Sequence, residues 1–131
     1  MRGLFAILCL LYAVPVFAQT GIPTQYVFVI YQGQAPVSTA TVQKTQLTCG
    51  LPKSTGGSTN PTKWRFDDPA NPATDCVYDD TTRLMGLPDG NYEGTARAVN
   101  ADGSSPETAR VPFVRRRPNP PGVPTGLRIS D

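Results

Sequence analysis

Hydrophobic residues along this chain fall in short alternating or β-branched runs separated by proline, glycine and polar clusters, a pattern that predicts strands and no sustained helix. Tyr26 to Tyr31 is the most apolar internal run and is predicted as a central strand, with Gln32, Gly33 and Gln34 turning it. Thr41 to Thr48 alternates and is rich in β-branched residues, which predicts a second strand. Leu51 to Thr62 is dominated by Gly, Ser, Thr, Asn and Pro and is predicted as a surface loop. Lys63 to Phe66 is predicted as a short strand, with the single tryptophan, Trp64, as a core residue. Asp67 to Asp75 is predicted as a rigid turn region, and Cys76 to Tyr78 and Arg83 to Met85 as short strands. Leu87 to Gly90 leads into a longer strand from Tyr92, on which Gly94, Ala96, Ala98 and Asn100 share a face because side chains alternate with period two. Their small size predicts a face packed closely against something. Gly103 follows at a turn, and Val111 to Val114 is the returning strand.

The first eighteen residues form a different pattern. Met1 and Arg2 make a short basic start, Gly3 to Val16 is almost wholly apolar, and Ala18 ends a Val-Phe-Ala cleavage pattern. This is the anatomy of a secretory leader, and it falls short of the about 20 apolar residues a membrane span needs. Cleavage after Ala18 is expected, giving a secreted, periplasmic or extracellular protein. Cys9 lies inside the apolar stretch behind bulky Leu8, a poor setting for lipid attachment.

Removing that leader from 131 residues leaves 113, enough for one domain with a modest core. The expected division is a leader at 1–18, an all-β domain at 19–117 and a proline-rich linker or extra strand at 118–131. Arg2 leaves with the leader, so eleven basic residues face ten acidic ones. Such a near-neutral balance does not fit the strong basic excess of nucleic-acid binders.

Two of the three cysteines remain after cleavage, and an exported protein matures where thiols oxidise. Cys49 and Cys76 are therefore expected to form a structural disulfide. Closing a loop of that length stabilises a fold by about 3.5 kcal/mol on the chain-entropy model. With no histidine in the chain, two thiolates do not complete a zinc shell and have no imidazole to activate them.

The run from Tyr92 through Ala96, Ala98, Asn100 and Gly103 to Ser105 resembles the penultimate strand and following turn of fibronectin type III domains. The resemblance implies an immunoglobulin-like β-sandwich in which Tyr92 sits at a corner and ties down the loop before it. Pro121 to Ile129 resembles the proline-led segment that opens such a domain, although here it follows the last strand. A linker before another module, an extra strand on the sheet and a disordered tail all remain open for it. The matches cover about a third of the chain after the leader. Two departures stand out: no strand with a core tryptophan is evident near the domain start, and Gly94 stands where an immunoglobulin domain has its second cysteine. The expected bridge is then a staple of the long middle loop, not the usual link between sheets.

Candidate chemistry is sparse. A hydrolytic triad needs a base that the chain lacks, and Asp67 with Asp68, or Asp79 with Asp80, would point to opposite faces if extended. Together with Asp75 they could offer calcium hard oxygen ligands, without EF-hand spacing. No cofactor motif and no metal site is read from the sequence. Arg115, Arg116 and Arg117 form the one strong charge run, either a solvated linker or a contact for an anionic surface. The expected function is a secreted or surface-associated, non-enzymatic module for adhesion, assembly or display, including as an accessory of a bacterial envelope or phage virion, with a protein or glycan surface as partner. The alternative is a small carbohydrate-binding module using Tyr31, Trp64, Tyr78 and Tyr92 as platforms; a small hydrolase ranks third.

Overall fold

The computed structural model describes residues 21–118 and 121–131. The leader expected at 1–18 lies outside the described residues. Among the described residues, eight strands and one short α-helix follow in order: β1 (Gln25–Gln32), β2 (Ala35–Gln43), β3 (Thr48–Pro52), β4 (Lys63–Asp68), β5 (Asn71–Asp79), α1 (Thr81–Met85), β6 (Gly90–Asn100), β7 (Gly103–Ser104) and β8 (Val111–Arg115). The protein is all-β, and its paired strands run antiparallel.

Strand β1 lies between β2 and β6, so the most apolar run does occupy the middle of its sheet. The other edge of β6 is shared by β7, opposite Val99 and Asn100, and β8, opposite Gly90 to Gly94. Facing this five-stranded sheet is a three-stranded one in the order β3-β5-β4. The two meet through alternate side chains of β1. Phe28 stacks on Tyr78 at 5.6 Å and lies 4.9 Å from Trp64, while Tyr26 lies 4.7 Å from Phe66. Burial of such a ring contributes about 1.5 to 3 kcal/mol, and each well-placed aromatic pair adds about 0.5 to 1.5.

The small-residue face of β6 meets this core as its composition demands. A Cβ on Gly94 would stand 2.6 Å from Trp64 Cζ3, so the indole occupies the space that any larger residue would need. Ala96 and Ala98 pack on the cluster of Tyr26, Phe28 and Val42. Tyr92 is buried against Phe113, and its hydroxyl donates to the Pro88 carbonyl at 2.7 Å, tying strand to preceding loop. Asn100 Oδ1 accepts from the Asp102 N–H at 2.9 Å, and Gly103 continues the turn at φ +141°, a conformation that favours glycine.

Several elements differ from the sequence expectation. Thr41 to Thr48 is not one strand, because the chain crosses between sheets at a 3-10 turn over Lys44–Gln46, where the Gln46 side chain accepts from the Gln43 N–H. Arg83 to Met85 is helical: Asp79 accepts from the Thr81 N–H, Arg83 pairs with Asp80 one turn away, and Leu84 is buried between the sheets. These local bonds outcompete an extended path for so short a segment. The turn region at Asp67 to Asp75 narrows to a tight reversal after Asp68, whose carboxylate accepts from the Ala70 N–H, and Asn71 to Asp75 are already paired strand. Leu51 and Pro52 likewise belong to β3, not to the loop.

The disulfide joins Cys49 on β3 to Cys76 on the neighbouring strand β5. It lies within one sheet and closes the segment that contains the long loop and β4.

Candidate binding cleft

On the β4 side the two sheets splay apart and leave a cleft of about 660 Å³. Trp64 and Phe66 form one wall, Gly94 and Ala96 of β6 the floor, and Val111, Pro112 and Phe113 of β8 the other wall. The rim is the loop at 55–62. It is lashed to β8 by backbone bonds, Asn60 N–H to the Val114 carbonyl at 2.8 Å and Val114 N–H to the Ser58 carbonyl at 2.7 Å. Asn60 takes a left-handed φ of 50°, tolerable for this residue type, and its Oδ1 accepts from Arg115 Nη1 at 2.9 Å and the Arg116 N–H at 2.8 Å. The sequence marks this stretch only as a surface loop, and nothing local singles out Asn60, since its partners lie more than fifty residues away.

Among the described residues, Lys63 and Arg65 are the ionisable ones that line the cleft, and no carboxylate does. Strand β4 is also the edge of its sheet, pairing with β5 alone among the described strands. The cleft thus couples apolar walls to a row of backbone donors and acceptors that no strand covers.

The aspartates are each engaged with protein groups, and Asp67 and Asp75, opposite one another on β4 and β5, share Lys53. Asp80 is buried, accepting from Trp64 Nε1 at 2.8 Å and pairing with Arg83 at 2.7 Å, so it fixes the indole that walls the cleft. Arg83 lies over that ring, 5.7 Å from its centroid. Asp79 accepts from the Thr81 hydroxyl and N–H, which together hold its carboxyl below the ordinary range. Asp67 is paired with Lys53. Asp75, nearly inaccessible, pairs with Lys53 and Arg65 at 3.2 Å each and accepts from the Ser54 N–H. Its burial pushes the carboxyl upward, but the Ser54 N–H, Lys53 and Arg65 outweigh that and hold it below its usual value. Asp68 approaches Cys49 and Cys76, whose sulfurs are joined to one another and hence offer no thiolate to a metal.

Of the aromatic platforms considered from sequence, Tyr92 is buried and Tyr78 stacks on Phe28. The Arg110 guanidinium sits 3.9 Å over the Tyr31 ring, and the Tyr31 hydroxyl donates to Glu107, which raises its pKa. Trp64 is partly buried with its ring edge against Gly94. The arginine run divides: Arg115 turns inward to Asn60 and the Met85 carbonyl, whereas Arg116 and Arg117 are exposed. Among the described residues no helix is long and apolar enough to cross a membrane, which with the disulfide is compatible with an extracellular location.

Comparison with known protein families, curated proteins and solved structures returned no match.

Proposed function

We propose that this chain is a secreted or surface-associated, non-enzymatic module of the fibronectin type III-like sandwich kind, working in adhesion, assembly or display by taking an extended polypeptide segment into the cleft beside β4. The observation that carries this reading is the union, among the described residues, of an uncovered strand edge with apolar walls in a cleft lined by no carboxylate. Extended peptides add to a sheet edge through main-chain hydrogen bonds, and their alternate side chains fill the adjoining pockets. The corner bond from Tyr92 to Pro88 and the small residues under Trp64 support the sandwich assignment. Burial of Tyr92, stacking of Tyr78 and the Arg110 cover on Tyr31 weigh against a carbohydrate-binding module, which needs bare ring faces.

Trp64 is the built-in reporter. Titration with a panel of extended peptides of alternating apolar pattern is expected to shift its emission and the amide resonances of β4, whereas soluble oligosaccharides leave both unchanged. If no peptide perturbs either signal, or an oligosaccharide does, the reading is wrong.

A further inference from the structure

The segment after β8 carries apolar side chains that no described residue covers. Val123, Leu127 and Ile129 are 88%, 86% and 98% exposed, in a stretch with no paired strand. Leu127 and Ile129 are two residues apart and share a face when extended, the same spacing as Trp64 and Phe66 on β4. Thr125 to Ser130 is six residues long and free of proline, so it keeps the N–H groups a ladder needs in either register, and β4 is six residues long. Resting on the cleft assignment above, we propose that its occupant is this segment, Thr125 to Ser130, supplied by a second copy of the chain.

Geometry favours the second copy over the segment's own domain. The chain leaves β8 where Asn60 holds Arg115 and Arg116, three residues before β4 begins. A path from there along β4 in the same molecule would lay residues 118–124 against the edge. Four of those seven are prolines, Pro118, Pro120, Pro121 and Pro124, with no N–H to offer. Thr125 would then fall beyond the far end of a strand only about 17 Å long at 3.3 Å per residue. An antiparallel seat in the same molecule needs the same traverse followed by a reversal, which a proline-rich extended stretch resists. A second copy meets neither obstacle. Its strand can enter from the Asp68 end, place Leu127 and Ile129 into the apolar cleft, and bring Asp131 toward Lys63.

Sedimentation and light scattering of the chain from Gln19 onward test this. Its mass is expected to rise with concentration toward at least twice that of the monomer, and a Leu127→Asp/Ile129→Asp variant to remain monomeric with an unchanged far-ultraviolet spectrum. A peptide spanning Gly122 to Asp131 is expected to shift Trp64 emission when added to that variant. A parent chain that stays monomeric at every concentration overturns the proposal. If its Trp64 emission then differs from that of the variant, the segment sits in its own domain. If it does not, and other extended peptides still shift Trp64, the cleft reading survives and self-recognition falls. Silence from all peptides removes both.

Discussion

The two sheets of this protein are held by different physics. The larger is organised by β1, whose alternate residues Tyr26, Phe28 and Ile30 are almost fully buried and whose neighbours β2 and β6 register along nearly its whole length. The smaller has few buried apolar residues, chiefly Cys76 and Val77 on β5, and is fastened by a disulfide and by Lys53 and Arg65 around Asp75. A sheet with a continuous apolar strand forms wherever that strand finds partners; a sheet without one needs staples, and can then leave an edge open without losing its shape. The open cleft lies along β4, a free edge of the smaller sheet, facing β6 and β8 of the larger one.

The sharpest way to break the contrast is to remove the covalent staple. Cys49→Ser/Cys76→Ser is expected to cost about 3.5 kcal/mol in denaturant unfolding, and hydrogen exchange is expected to rise first in β3 and β5, with β1 and β6 still protected. A uniform rise across both sheets would erase the distinction. Gly94→Ala tests where the sheets touch: the new methyl meets Trp64, itself packed on Phe28, so a loss of about 1 to 3 kcal/mol and a shift in Trp64 emission are expected. Tyr92→Phe deletes one hydrogen bond while keeping the ring on Phe113, and is expected to cost about 1 kcal/mol in thermal or chemical unfolding.

The smallest effect concerns acid. Because Asp75 has a lower pKa folded than unfolded, the unfolded state binds the proton more readily. The stabilisation is present above the ordinary aspartate pKa and is lost as pH falls through the depressed folded value. Asp75→Asn is therefore expected to flatten the acid limb of the stability curve below about pH 4, the ordinary aspartate range. An unaltered limb would mean that the ion pairs do not fasten the small sheet.

Much of the larger sheet was legible from sequence because period-two patterning reports burial directly. Tyr26 to Tyr31 announced a central strand, and the small residues after Tyr92 announced a tight contact, though not that its partner is Trp64. The cysteine pairing was legible from the cysteine count together with the expected export. Short segments were harder: Arg83 to Met85 has an apolar pair that fits a strand or a helix turn equally well, and the preceding Asp80 and Thr81 were the signal for the helix start. Legibility of the candidate cleft was lower still. Trp64 stood out as the single tryptophan, but Asn60, Val111 and Phe113 belong together only after β8 has returned beside the loop at 55–62.

By itself the sequence determined that the chain is all-β, which run lies at the centre, and which cysteines pair, since alternation and residue chemistry act locally or by simple count. Tertiary structure alone decided which strand edges are covered, where the aspartates find their partners, and that a cleft opens beside β4. Those outcomes depend on contacts between residues tens of positions apart, and no local pattern encodes which of two equally apolar surfaces is left without a neighbour.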